Sequence, residues 1–385
     1  MIKGGTIVDP ASGLFEKKDV AISNGSIEDV ETRVSSGSSR RVIDADGMLV
    51  TPGLVDLHAH VAHNVVRLCV DPFENCLVRG TTTVVDAGST GELNFTPFRD
   101  FVIKQQRMEV LAFLNIESLG MIEYADMRPT NTDQKWPRLL TDKNESFAHM
   151  FVNLNNTVRT IRSNAKSLVG IKWAHHGLKV LGLARKAADE AQCKVMAESH
   201  FMPDLFKYLK KGDIATHIFH FEDYGSSRGH DGITEDMKVI REEVFAASRR
   251  GVVLDVGHGK GSFSWGVARL ALREGLRPDT ISTDLWSGNI RGPVFDLPTT
   301  MAKFLHVGMP LEDVIRATTW KPALVLNRGK DIGSLRPGSR ADIAVLKLRN
   351  QKTILVDSYG KKEIGESKII PVGVVKGGEI VRANR

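Results

Sequence analysis

Pro52-Gly53-Leu54-Val55-Asp56-Leu57-His58-Ala59-His60 is an apolar run that ends in two histidines one residue apart. On a strand, residues i and i+2 face the same side, so His58 and His60 can present both imidazoles to one ion. An edge strand that happens to carry two histidines reads the same way when the stretch is taken alone. The residues downstream weigh against that reading. Lys172, His200, His217 and Asp284 each stand at or near the end of a later strand-like run.

Strand-like runs occur at Leu54 to Leu57, Thr82 to Asp86, Val110 to Ile116, Val169 to Trp173, Lys194 to Ala197, Ile214 to Phe219, Val252 to Val256 and Thr280 to Thr283. Between them lie apolar patterns at helical spacing, among them Leu178 to Ala191, Glu235 to Ala247 and Ser264 to Leu272, the last followed by Gly275 as a stop. Such alternation argues for parallel βα units, because parallel neighbours need a crossover between them. Eight units over about 280 residues is the size of a TIM barrel. A doubly wound sheet would alternate too, but no GxGxxG or P-loop phosphate signature follows the first strand. The expectation is therefore α/β, a (β/α)8 TIM barrel over residues 52–332. In such a barrel the strand ends converge on one mouth, where the polar residues named above fall.

Both ends of the chain read differently. Thr6-Ile7-Val8, Asp19-Val20-Ala21-Ile22 and Ser26-Ile27 are short strands, with Asn24-Gly25 as a hairpin turn between the last two and a polar loop at 35–39. The C-terminus repeats the style from Ala341 to Leu346 and on to Val374-Val375-Lys376-Gly377-Gly378-Glu379-Ile380-Val381, which echoes Ile2-Lys3-Gly4-Gly5-Thr6-Ile7-Val8. Neither end has enough strands for a stable sheet by itself. The two are expected to pair into one composite domain, a small β-sandwich of residues 1–51 and 333–385. The net charge of +6 is interspersed with acidic residues and forms no basic stripe, so no nucleic-acid partner is expected. Cys69, Cys76 and Cys193 form no CxxC pair and imply no disulfide framework, which points to the cytoplasm. No apolar run approaches a membrane span and the first residues lack a signal-peptide core, so a soluble protein with no membrane contact is expected. The sequence does not set the oligomeric state, and a homo-oligomer stays open.

Further segments narrow the reading. They are Gly80-Thr81-Thr82-Thr83, Gly212-Asp213-Ile214-Ala215-Thr216-His217, Asp255-Val256-Gly257-His258-Gly259-Lys260-Gly261-Ser262-Phe263, Pro278-Asp279-Thr280-Ile281-Ser282-Thr283-Asp284 and Gly333-Ser334-Leu335-Arg336-Pro337-Gly338-Ser339-Arg340-Ala341-Asp342. With the first histidine stretch they run in order through nearly the whole chain, which resembles the amidohydrolase superfamily and more closely its deacetylase and dihydroorotase-like members. The resemblance implies two divalent metal ions, usually zinc, with His58 and His60 on the more buried ion and His200 and His217 on the more exposed one. It also implies that Lys172 bridges them as a carbamate, since a free ammonium cannot ligate a cation. Taken bare, such a lysine is a surface charge.

On the fifth strand Glu198 and His200 share a face, and Glu198 is the alternative to His200 as ligand. On the sixth strand the Thr216-His217 match favours His217, which leaves His220 to a loop where it supports the ligands or meets substrate. Asp284, by itself a common helix N-cap type, is implied to be both ligand and proton shuttle. His258 either positions and polarises the substrate or is a structural histidine. The implied activity is hydrolysis of an amide or ester bond in a small acylated acid, an N-acyl amino acid or acyl hydroxy acid, by a hydroxide bridging the metals. Dihydroorotases carry an arginine two residues after the second histidine, where this chain has Ala62. A carboxylate of the small-molecule substrate would then be met by Arg228, or by Arg67, Arg128 or Lys260, although a solvated surface charge is the plainer reading of each. Deamination of a purine-like ring is the enzymatic alternative, and a non-catalytic binding or assembly relative is the other.

Overall fold

The computed structural model of the chain describes residues 1–35, 39–122, 151–174, 176–199, 202–221 and 232–383. Both ends of the chain build one sheet. β1 (Ile2–Asp9), β2 (Leu14–Ser23), β3 (Ser26–Glu31), β4 (Ile43–Asp44) and β5 (Leu49–Pro52) join β15 (Ile343–Val356), β16 (Lys362–Lys376) and β17 (Glu379–Ala383). Their order is β17-β16-β15-β5-β1-β2-β3, with β4 beside β1. β2 and β3 meet at a tight turn in which Asn24 (φ 48°) and Gly25 (φ 80°) both adopt the left-handed conformation that a two-residue hairpin of this twist demands. The join between the two ends is antiparallel, pairing Ile343 with Pro52 and Val345 with Val50. Ile2, Ile7, Val20, Ile27, Val50, Ile343, Val345 and Val375 pack together as the sheet's own core. Each contributes about 1.5–3 kcal/mol by leaving water.

The second sheet is parallel and in sequence order: β6 (Leu54–Ala59), β7 (Thr81–Ala87), β8 (Glu109–Asn115), β9 (Leu168–Trp173), β10 (Lys194–Glu198), β11 (Ile214–Thr216) and β14 (Val253–Leu254). β6 and β7 are buried along their whole length, as strands covered on both faces must be. Val55, Leu57, Val85, Leu111, Phe113, Met196 and Ile214 form one apolar cluster, joined by Ala323, Val325, Leu326 and Ile332. The run at Thr280 to Thr283 is not a regular strand, yet it closes the ring. Asp255 bridges Thr280 and Ala59 bridges Leu285, both in parallel sense. Asp284 N donates to His58 O (2.6 Å) and His60 N to Leu285 O (2.8 Å). Side chains replace the missing ladder here: Thr280, Ser282 and Thr283 hydroxyls donate to the carboxylates of Asp255 and Asp56. The architecture is a (β/α)8 barrel with seven regular staves and one irregular one.

The helix Leu178–Ala191 forms as its periodicity predicts, burying Val180, Leu181, Ala184, Ala187 and Ala188. The pattern from Glu235 to Ala247 does not form one helix. Asp236 and Met237 turn with positive φ, so that β12 (Thr234–Glu235) pairs antiparallel with β13 (Val239–Ile240), and the helix runs only from Glu242 to Arg249. Among the described residues no helix is long and apolar enough to cross a membrane.

The terminal sheet is fastened to the barrel by ions as well as by β5 running into β6. Glu109, at the start of β8, accepts from Arg328 (2.5 Å) and Arg340 (2.6 Å). Burial works to raise its pKa, but the two guanidinium groups outweigh it and hold the carboxyl below its usual range. Removing residues 345–385 takes away β16, β17 and most of β15, and leaves the edge of β5 without a partner. The truncated chain is expected to aggregate on gel filtration, and a monodisperse, folded truncation would show that the sheet does not need its C-terminal half.

Candidate metal centre

Five staves deliver ligand-type side chains to one end of the barrel. His58 and His60 close β6, Lys172 lies on β9, Glu198 ends β10, His217 follows β11, and Asp284 stands in the irregular stave. One donor atom each from His58, His217 and Asp284 lie within 4.8 Å of one another. Asp284 Oδ1 is 3.1 Å from His60 Nε2 and 3.4 Å from His58 Nε2. Lys172 Nζ is 3.5 Å from His58 Nε2, and Glu198 Oε1 is 3.6 Å from His217 Nε2. His200, Arg128 and Arg228 lie outside the described residues.

Each imidazole is aimed by the hydrogen bond at its other nitrogen. His217 Nδ1 donates to the Gly257 carbonyl (2.6 Å). His58 Nδ1 meets Thr216 Oγ1 (2.9 Å), whose own hydrogen goes to Asp255 Oδ2 (2.7 Å). His60 Nδ1 meets Ser89 Oγ (2.8 Å), which donates to Asp86 Oδ2 (2.7 Å). A hydroxyl that has spent its hydrogen on a carboxylate can only accept, so both rings carry their proton on Nδ1. All three Nε2 lone pairs are thereby left free, which is the tautomer a metal ligand needs.

The backbone is bent to the same end. His217 (φ 64°) and Asp284 (φ 49°) sit in the left-handed region, which side chains other than glycine rarely occupy and which clusters at functional sites. Gly88 makes room for the lysine, since a Cβ there would stand 2.6 Å from Lys172 Cβ.

Electrostatics follow from burial. Burial works to raise the pKa of Asp284, and only when His58, and after it His60 and His217, carry a second proton do they outweigh it and hold the carboxyl well below the usual range. Burial likewise raises Asp56, to about 7, against hydrogen bonds from Thr283 and His58. Lys172 is 2 % exposed, and burial pushes its pKa down against the pull of Glu198, Asp284, Asp255 and Asp86. Among the described residues no carboxylate comes within ion-pairing distance of its Nζ. An unpaired buried ammonium is costly, so this environment favours the neutral amine.

Two histidines singled out in the sequence have other work. His258 is fully buried, with Nδ1 on Gly259 O (2.9 Å), Nε2 on Lys303 Nζ (2.8 Å) and its ring stacked on Phe263. Both nitrogens are taken inside the protein, which favours the structural reading of His258 over the substrate-polarising one. His220 donates from Nδ1 to the carbonyl of His217 (2.8 Å), a carbonyl that Ser199 Oγ also binds (2.7 Å). Burial lowers its pKa to about 4, against that hydrogen bond. It fixes the left-handed turn at His217 and is not positioned to meet substrate through that nitrogen.

Sequence reasoning did not single out Asp86, Asp255, Thr216 and Ser89, nor Asp56 within the opening stretch. Their only signal was position, a polar residue next to a strand end. It also did not find Lys303, a fully buried lysine that donates to His258 Nε2, Pro293 O (2.8 Å) and Val356 O (2.7 Å). Burial pushes it down to about 7 against Asp357 and Asp296. Lys303 ties the tip of the β15–β16 hairpin to the loop after β14. The same tip sends Ser358 Oγ to His258 O (3.0 Å) and Tyr359 OH to Gly261 O (2.8 Å). Lys303→Met would remove all three hydrogen bonds of the buried ammonium, and should destabilise the fold by about 3 kcal/mol in a denaturant titration. An unchanged midpoint would show that the clamp carries no stability.

The donor chemistry fits divalent ions: imidazole nitrogens already in the ligating tautomer, a carboxylate between them, and a buried amine with no counter-charge. The sequence of residues 49–381 matches the Amidohydrolase family. Over 377 residues the chain is 34% identical to a deacetylase of Agrobacterium fabrum, a match covering 94% of this chain and 86% of that protein. The fold superposes on the crystal structure of a dihydroorotase with a TM-score of 0.83 at 31% identity, covering 100% of this chain and 99% of that one. It superposes equally on an adenine deaminase, with a TM-score of 0.83 at 29% identity over 99% and 98% of the two chains. A closed (β/α)8 barrel with this cluster at its strand ends, and a match across nearly its whole length, make this chain a member of the amidohydrolase family and a hydrolase.

Proposed function

We propose that the protein hydrolyses the amide or ester bond of a small acylated acid, an N-acyl amino acid or acyl hydroxy acid, at a pair of zinc ions. The observation that carries this reading is the convergence of His58, His217 and Asp284 beside a buried lysine that has no ion-pair partner among the described residues. His58, His60, His200, His217 and Asp284 would hold the ions, with Glu198 as the alternative to His200. Lys172 would bridge them as a carbamate, formed when its neutral amine adds carbon dioxide and loses a proton. When bound, the ions supply Lewis acidity that polarises an acyl oxygen and acidifies water.

The protein's own part is orientation and proton transfer. Asp284 Oδ1 faces His58 and His60, whereas its Oδ2 makes no hydrogen bond among the described residues. That oxygen can take a proton from the attacking water and pass it to the departing nitrogen or oxygen. The full-length likeness to a deacetylase supports an acyl substrate. Deamination of a purine-like ring is the second reading, favoured by the likeness to an adenine deaminase. Lys172 supports the acyl reading, because a buried lysine 3.5 Å from His58 Nε2 could serve as a bridging ligand for two ions. We infer as well that residues 52–332 carry the chemistry, and that residues 1–51 and 333–385 form one composite domain supporting it.

Metal analysis of purified protein should find close to two transition-metal ions per chain. His200→Ala should lose one of them and Glu198→Ala should keep both, whereas the reverse pattern would assign the fifth-strand ligand to Glu198. Protein active without metal would overturn the reading. In a screen of N-acyl amino acids, acyl hydroxy-acid esters and cyclic amides on zinc-loaded protein, the first two classes should be cleaved. On the best of them Asp284→Asn should lower kcat by about 10²- to 10⁴-fold with little change in KM. Near-normal kcat in a variant that keeps both ions would remove Asp284 from the proton path.

A further inference from the structure

Glu117 and His176 form a buried acid and imidazole pair that the mechanism above does not use. Glu117 follows β8 and His176 follows β9, both on the side of the barrel where the metal-ligand candidates lie. Glu117 Oε2 is 3.3 Å from His176 Nε2, and the two residues are only 6 % and 5 % exposed. The other heteroatom of each, Glu117 Oε1 and His176 Nδ1, is buried without a hydrogen-bond partner among the described residues. On the neighbouring loop after β7, Thr90 Oγ1 is in the same condition. Native proteins seldom leave such atoms unsatisfied, and each one calls for an explanation in strain, function or a bound group, water included.

Placement ties the pair to the centre. Asn115 on β8 is the register partner of Lys172 on β9. Glu117 therefore stands two residues beyond the lysine layer, in the loop that leaves β8 at the mouth. The connection is stiff: Ile116 N donates to Lys172 O (3.0 Å), Glu117 N to Asn115 Oδ1 (3.0 Å), and Asn115 N to Thr90 O (2.9 Å). The pair is also enclosed, so a group reaching it would be bound out of water, where a hydrogen bond to a carboxylate is strongest.

The chemistry of the unpaired atoms names what they would take. With His176 Nε2–H donating to the carboxylate, neutral His176 offers an acceptor at Nδ1, and Glu117 Oε1 is an acceptor as well. Among the described residues no lysine or arginine ion-pairs with Glu117. Two acceptors carrying one negative charge repel a carboxylate and select a donor. We infer that Glu117 and His176 are a specificity subsite for a hydrogen-bond-donating group, a primary ammonium or hydroxyl, carried by the acylated substrate away from the bond that is cut. This rests on the acyl-hydrolase reading of the metal centre and adds the substrate's second recognition element.

Matched substrates test it. N-acetyl amino acids whose side chain ends in an amine or hydroxyl are compared with partners ending in methyl, and aminoacyl acids with their alkyl-acyl counterparts. The zinc-loaded wild type should favour the donor-bearing member of at least one pair by about tenfold or more in kcat/KM, the scale of one hydrogen bond to a charged group. Glu117→Gln and His176→Asn should each bring that ratio toward one, while kcat on the methyl member stays within about threefold and metal content is unchanged. If the preference never appears, or survives in whichever of the two variants folds, the pair is structural or binds only water, and the inference fails. If no acyl compound is cleaved at all, the proposed function fails instead. The subsite is then judged by calorimetric binding of the free amino acids to the same proteins, where a donor preference lost in Glu117→Gln supports it and equal binding of donor and methyl members overturns it.

Discussion

The centre depends on one arrangement repeated three times, an imidazole Nδ1–H given to an oxygen so that Nε2 is left bare. For His58 and His60 the oxygen is a hydroxyl fixed in turn by a buried carboxylate, and for His217 it is a backbone carbonyl. The carboxylates hold more than the histidines. Asp255 takes hydrogens from Thr216, Thr280 and Ser282, and Asp56 from Thr283. The groups that set the tautomer of His58 therefore also hold the irregular stave that carries Asp284. Barrel closure and ligand geometry are two results of one hydrogen-bond network, and neither can be loosened without the other.

How much of this could be read from the sequence varies with the range of the interaction. The staves of the barrel were legible because a parallel strand buried on both faces is a short apolar run, and runs such as Leu54 to Leu57 or Lys194 to Ala197 announce themselves. Thr280 to Thr283 was legible as a stave but not as an irregular one, because its regularity is lost to side-chain bonds with residues on other strands. The helical pattern from Glu235 failed for a local reason, the two left-handed residues at Asp236 and Met237, of which only the aspartate is a type that favours such a turn. The segment around His258 left two readings open, and the packing of its ring favours the structural one, whereas Asp255 in the same segment does the supporting work. A residue such as Ser89 acquires its role only from a partner on a different strand, and no spacing along the chain encodes that.

The terminal sheet does more than cover the barrel. Its β15–β16 hairpin reaches the loop that follows β14, where Ser358 and Tyr359 hold the backbone from His258 to Gly261 and Lys303 joins the His258 ring to the Val356 carbonyl. Gly257, one residue earlier, supplies the carbonyl that orients His217. The hairpin is thus mechanically continuous with a ligand-type residue, although none of its own side chains belongs to the ligand cluster.

The pairing of β5 with β15 also sets when this protein can finish folding. Thr51 and Ala344, neighbours across that join, are 293 residues apart along the chain. At the usual pace of synthesis the first strands leave the ribosome roughly 15–60 s before their partners exist. During that interval β5 has an open edge, and the barrel between the two halves has time to assemble first. Docking β5 against β15 closes a very long loop, a contact of high order that leaves β5 with an open edge until its partner has been made.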